Sequence, residues 1–459
     1  MSTFARSTAH SLIGFAVTHR TVGTVRRCIT LVVVISLLVT TACHGLLDVS
    51  NPTLTQDQDI ANASGAAARV GSVQYYFDNA TSVTVQNVAL FTDEETYDAQ
   101  PNCCNAQPIA LDQRNSEAYE ATFGPGSDPH LGWLDLVVTN AGIVIPPIRS
   151  YAASDVRGDL LAKVYGMRGY AIVQMAEDVC PGFPINDVSP TNEVVYSGPY
   201  TTDAALTYGI AQLDSALANG HDSAQALNLA RVVKGRALLD LGQYTQAAQA
   251  VAEVPADFVY ATDASIAALG PTCVDCWEGG DRQAVGNGDG GNGLLFVAEH
   301  DTARVPTMKT SYTRYAHPSD TLYAQLKYPN QSTRLVVASG MEARLIRAEV
   351  LLHENNATWI DTLNVLRLAA GLPAVPAPTE DTAKVSWLYH ERAFWLYMTG
   401  RRLGDLRRLI RNYNRTSAQV FPVGAYPLGG EYGSATAIPF IVANQALYNS
   451  KITQGCTTR

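Results

Sequence analysis

The sequence predicts a mainly α-helical protein that carries tetratricopeptide-like helix pairs and one loop-rich insertion. Three observations predict it. Apolar residues recur every three or four positions, as at Met341, Leu345, Ala348 and Leu352, the spacing that lines one face of a helix. Residues 202–255 read as three consecutive helices separated by tight turns. Glycine, proline and asparagine gather in two stretches, 98–130 and 262–330, that break the helical pattern.

The chain opens on a segment of different character. Residues 1–42 hold Arg6, Arg20, Arg26 and Arg27 and no acid. Arg26-Arg27 precedes an apolar run from Cys28 to Thr40, shorter than the ~20 residues a spanning helix needs but long enough for a signal-peptide core. The run ends in Thr40-Thr41-Ala42-Cys43. Small residues before a cysteine suit cleavage by a lipoprotein signal peptidase, and Cys43 is the expected lipidation site. Thr40 stands where that signal usually has leucine, and an ordinary secretory peptide is the alternative. Several acyl chains, each worth ~0.8 kcal/mol per buried methylene, give lasting anchorage. Residues 43–60 are polar and turn-rich, a tether into a body spanning 61–459.

Within that body the elements follow in order. Residues 61–77 have a helical pattern, and 98–130, with Pro101, Pro108 and Pro129, read mainly as loop. Helical periodicity returns at 131–148 and 155–177, before Pro181 and Pro184 break the chain. Thr202-Asp203 suits a helix start for a helix to about Ala218, a second runs from Ser223 to Leu241, and a third from Gln243 to Val254. This stretch looks like a tetratricopeptide unit: Ala237 permits close helix approach, Gly242 turns the chain and Tyr244 packs across the turn. Residues 262–330 contain the run GNGDGGNG, with a short strand expected at Leu294–Ala298. Helices resume at Met341, from Thr358 to Ala370, from Thr382 to Thr399 and from Leu403 to Asn412. The last 45 residues read as coil wrapping the body.

Beyond Cys28 and Cys43 there are six cysteines, an even count that suits disulfides in an oxidising compartment. Cys273 and Cys276 are placed for a local bridge; Cys103 and Cys104 could bridge each other or reach Cys180. No second C-x-x-C or H-x-x-x-H accompanies them, so a zinc site is not expected, and neither is any other metal or cofactor. The net charge is −10. An acidic body lacks the clustered Lys and Arg that nucleic-acid binding requires. His390-Glu391 invites a metalloprotease reading, but position 394 is Phe394 rather than histidine. Asp93-Glu94-Glu95 supplies acids without the separation a glycosidase pair needs. No catalytic residue is assigned.

Three stretches resemble the SusD/RagB family of outer-membrane nutrient-binding lipoproteins. The first is Cys43-His44-Gly45-Leu46-Leu47-Asp48-Val49-Ser50-Asn51-Pro52. The second is Arg347-Ala348-Glu349-Val350-Leu351-Leu352, continued by Leu363-Asn364-Val365-Leu366-Arg367 and Ala370-Gly371-Leu372-Pro373. The third is His390-Glu391-Arg392 with Gly400, Arg402, Asp405, Leu406 and Arg407. In that family acids often stand near positions 395 and 399, where this chain has Trp395 and Thr399. The resemblance implies a SusD-like helical fold, no catalysis, and a place on the cell surface at the outer membrane. It also implies work beside a SusC-type TonB-dependent transporter, with captured glycan or peptide fragments closed over the pore.

Sugar rings stack an apolar face on Trp or Tyr, so the ligand candidates are aromatic: Tyr97, Trp133, Trp277, Tyr312 and Tyr315. The resemblance places ligand contacts in the two regions that hold them. Trp359, Trp387 and Trp395 lie on expected helices and read as core, and Glu391, Arg392, Arg402, Asp405 and Arg407 as a structural ion-pair network. The competing function is a tetratricopeptide-type envelope scaffold that binds protein partners in a groove.

Overall fold

The computed structural model describes residues 62–98, 106–122, 128–189, 191–263, 282–314, 317–330, 332–442 and 448–457. The leader, Cys43, the tether, Cys103, Cys104, Cys273, Cys276, Trp277 and Tyr315 lie outside the described residues. Thirteen α-helices and eight short strands occur among those described.

The first layer is built from α1 (Ala63–Phe91), α4 (Pro129–Tyr151), α5 (Ser154–Asp178), α6 (Thr202–Asn219) and α7 (Ala224–Asp240). Asn62 caps α1 by accepting from the Gly65 N–H, and Asp128 caps α4 from the Leu131 N–H with Pro129 at the first position. Both acceptors satisfy N–H groups that have no partner inside the helix. The five helices bury a shared core that includes Phe77, Leu134, Ile148, Tyr170, Met175, Leu213 and Leu229. Among the described residues α4 alone is long and apolar enough to cross a membrane. Its Leu134, Val137, Val138, Ala141 and Ile148 are buried in the protein core, the pattern of a core helix.

Helix α7 turns at Gly242, which adopts φ +70°, into α8 (Tyr244–Ala250). Tyr244 stacks on His353 at 3.6 Å between ring centroids. At Gly235 on α7 an added Cβ would sit 2.5 Å from the Val251 side chain at the end of α8. The third helix of this unit ends four residues before the sequence pattern suggests.

A second core joins α9 (Gly340–His353), α10 (Trp359–Ala369), α11 (Asp381–Trp395) and α12 (Arg402–Tyr413). Trp359 is buried there, and Trp387 and Trp395 pack against it half-buried. The strands form four antiparallel pairs. These are β1 (Glu95–Asp98) with β5 (Arg282–Val285), β2 (Asp187–Val188) with β3 (Val194–Val195), β4 (Val259–Ala261) with β8 (Val336–Ser339), and β6 (Thr307–Thr313) with β7 (Thr321–Gln325). A short α13 (Ser417–Val420) interrupts the otherwise irregular C-terminal region.

Three expectations are corrected. The region 98–130 holds two helices, α2 (Ala106–Asp112) and α3 (Ser116–Thr122). Pro108 stands in the first turn of α2, where its missing N–H costs nothing. Leu294–Ala298 is turn rather than strand, and Phe296 is fixed by packing on Phe394 and Tyr397. Cys180 is bonded to Cys456, with Cα atoms 5.3 Å apart, and not to Cys103 or Cys104.

Candidate functional site

Two helices of the first layer present a group of aromatic rings to solvent. Tyr75 and Tyr76 are neighbours on α1, and Trp133 stands in the first turns of α4. Successive helical residues point about 100° apart, so adjacent aromatics on one helix differ in how deeply they are buried. Tyr76 turns partly inward and packs on the first core with Trp133, while Tyr75 stays 58% exposed. The ring centroids lie 5.4 Å (Tyr75–Tyr76), 6.5 Å (Tyr75–Trp133) and 6.2 Å (Tyr76–Trp133) apart.

The next residue of α1 belongs to the core. Phe77, fully buried, packs on Tyr170 at 4.9 Å and edge-on to Tyr260 at 6.1 Å. Gly71 on α1 and Gly132 on α4 flank the rings, and a Cβ at either would meet nothing within 4 Å. The result is an open aromatic shelf with interplanar angles of 76°, 68° and 42°. Rings set at such angles suit a curved, soluble chain of rings rather than a flat surface. Stacking of this kind needs no charge and no bond-making group.

The other aromatic candidates divide. Tyr312 is 40% exposed on β6. Tyr97 is 2% exposed: its ring packs in the second core and its backbone N–H donates to Asp112 at 2.7 Å, so it is a packing residue and not a surface contact. The adjacent pair Tyr75-Tyr76 went unassigned as a contact in the sequence reading; two consecutive aromatics on a helix were the available signal.

The charged motif residues near the C-terminus, apart from Arg407, which donates to the main-chain carbonyls of Ala176, Glu177 and Val179, form a buried ion-pair lattice. Arg392 forks onto Asp405 at 2.8 and 2.7 Å, and Arg402 onto Asp93 at 2.7 and 2.8 Å. Arg408 bonds Glu349, Asp240 and Asp405 at 2.7–3.1 Å. Glu391 accepts from Arg304 at 2.8 Å and Arg367 at 2.6 Å. Burial alone would raise the Asp405 carboxyl, but Arg392 and Arg408 outweigh it and hold it below the usual carboxylate range. Such forked pairs fix helix positions. The acidic run is inside too: Asp93, Glu94 and Glu95 are all buried.

No protein-family model matches the chain, and no curated protein matches it. Solved structures do. A SusD superfamily protein from Bacteroides vulgatus superposes with TM-score 0.62 at 13% identity, over 86% of this chain and 99% of its own. A laminarin binding SusD-like protein matches with TM-score 0.57 at 13% identity, over 87% and 100%. Surface glycan-binding protein A from Bacteroides uniformis matches with TM-score 0.60 at 11% identity, over 85% and 99%. This chain therefore shares the fold of those proteins over most of its length.

Proposed function

Proceeding from that SusD-like fold, we propose that the chain is a non-catalytic, glycan-binding lipoprotein of the SusD/RagB family. In this reading Cys43 carries the acyl chains that hold it at the outer face of the outer membrane, and a SusC-type TonB-dependent transporter receives the captured oligosaccharide. The observation that carries the reading is the shelf of Tyr75, Tyr76 and Trp133. An exposed tyrosine propped against a tryptophan offers an apolar ring surface that a ligand can cover. The apolar face of a sugar ring does so while its hydroxyls stay hydrated. The Cys180–Cys456 bridge supports passage through an oxidising compartment.

The test is glycan-array screening of the soluble protein from residue 45, followed by titration with the best ligand. The double variant Tyr75→Ala, Trp133→Ala should bind about tenfold more weakly or worse, given ~1 kcal/mol or more per lost stacking contact. Its circular dichroism should match that of the native protein. Undiminished affinity would move the site elsewhere, and binding of no glycan at all would end the capture reading.

A further inference from the structure

A cavity of about 1040 Å³ lies among the start of α6, the end of α7, the middle of α12 and the Cys180–Cys456 bridge. That is room for a ligand of one to a few sugar units. Its charged lining is Arg407 and Arg411, one turn apart on α12, with Asp203 and Asp240.

Arg407 is 8% exposed. One guanidinium nitrogen, Nη1, donates to the main-chain carbonyls of Ala176, Glu177 and Val179 at 3.0, 2.6 and 3.2 Å. The other, Nη2, has only a 3.4 Å contact to the Thr202 hydroxyl. Among the described residues no carboxylate pairs with it. Burial and the neighbouring Arg411 pull its pKa down to about 10. Arg411 is no better served. Its 3.3 Å contact is to an Asp240 oxygen that Arg408 already holds at 2.9 Å.

The Thr202 contact places Arg407 at the N-terminus of α6, an 18-residue helix. That end carries partial positive charge and suits an anion, not a cation. Two guanidinium groups and a positive helix end thus face one space, whose wall acids are Asp240, which Arg411 shares with Arg408, and Asp203 in the first turn of α6. The two wall acids disfavour a doubly charged guest. A planar monoanion fits the arginine fork. The rest of the wall, including Ser116, Thr201, Asn412, Ser434 and Thr436, offers hydroxyl and amide partners for a polyhydroxylated ring.

We propose that this cavity binds the carboxylate of a small acidic sugar of the uronic-acid type, between Arg411, Arg407 and the first turn of α6. It is a site separate from the aromatic shelf and does not rest on it.

The experiment is calorimetric titration of the soluble protein, Cys180–Cys456 bridge intact, with galacturonate, galactose and inorganic sulfate. Galacturonate should bind and galactose should not bind at the same concentration. Arg411→Gln should weaken galacturonate about tenfold, the worth of one charge-assisted contact. Arg411→Lys, which keeps the charge but loses the fork, should lose part of that and guards against a misfolded first variant. The Tyr75→Ala, Trp133→Ala protein should bind galacturonate as the native protein does, which separates this site from the shelf. The proposal is overturned by absence of galacturonate binding, by native-like affinity in both Arg411 variants, or by sulfate competing as well as galacturonate.

Discussion

Glu94 and Glu95 are adjacent, buried, and served by few partners: Glu94 accepts from the Met398 N–H at 3.0 Å, while both Glu95 oxygens lack a hydrogen-bond partner. Burial pushes Glu94 up to about 8 and Glu95 well above its ordinary 4.5. In the unfolded chain both lose their protons near pH 4.5. Above that pH the native state holds protons the unfolded chain has released, so stability falls as pH rises. For Glu94 the contribution is complete below about pH 4.5 and gone once pH passes about 8. Lys327, pushed down to about 8 by burial, acts in the opposite sense but only above that pH. Glu95→Gln keeps the shape and removes the ionisable group. Its melting temperature should fall less between pH 5 and pH 8 than that of the native protein, and an equal fall would refute the assignment. At this scale the sequence was partly readable. Paired aromatics and paired acids stand out in it, but nothing in a linear string tells that Tyr97 turns inward while Tyr75 turns out.

Helices α5 and α6 meet through glycine. A Cβ on Gly209 would sit 2.7 Å from Val173, and one on Gly169 would sit 2.6 Å from Leu213. Gly209→Val must therefore push the helices apart or force an off-rotamer side chain, and is expected to cost about 1–3 kcal/mol. Chemical denaturation reads this directly; an unchanged midpoint would mean the helices tolerate separation. The apolar period made most helices legible, because each presents one face to a core. It failed on α1, which runs on to Phe91 rather than ending near Phe77. Asp78, Asn79, Thr81, Ser82, Thr84 and Asn87 are buried on that stretch and mask the period. Several of them have partners at hand: Gln74 donates to Asp78 at 2.7 Å, the Thr81 hydroxyl donates to the Phe77 carbonyl at 2.8 Å, and Asn87 meets His130 at 3.3 Å. Strands of two to seven residues, each with one partner strand, leave too short an alternation to read.

The body is held by the ion-pair lattice and, among the described residues, by one covalent tie. Cys180 and Cys456 are 276 residues apart in sequence. Around the bond the tail is already seated: Thr457 N–H donates to the Pro181 carbonyl at 2.8 Å, and Asn449 donates to the Ser197 carbonyl at 2.8 Å. Crosslinking so long a loop removes much freedom from the unfolded chain, worth about 2–5 kcal/mol. Cys180→Ser with Cys456→Ser should lower the denaturation midpoint accordingly, while a midpoint equal to that of the native protein would show that the tail contacts suffice alone. Six candidate cysteines allowed many pairings, and only the fold, by bringing the chain end beside α5, selects this one.

A backbone sewn shut in this way has a practical resilience. One protease cut anywhere between residues 180 and 456 leaves two pieces still joined through sulfur, with their helices interlocked. Within that stretch a nick becomes a scar rather than a loss.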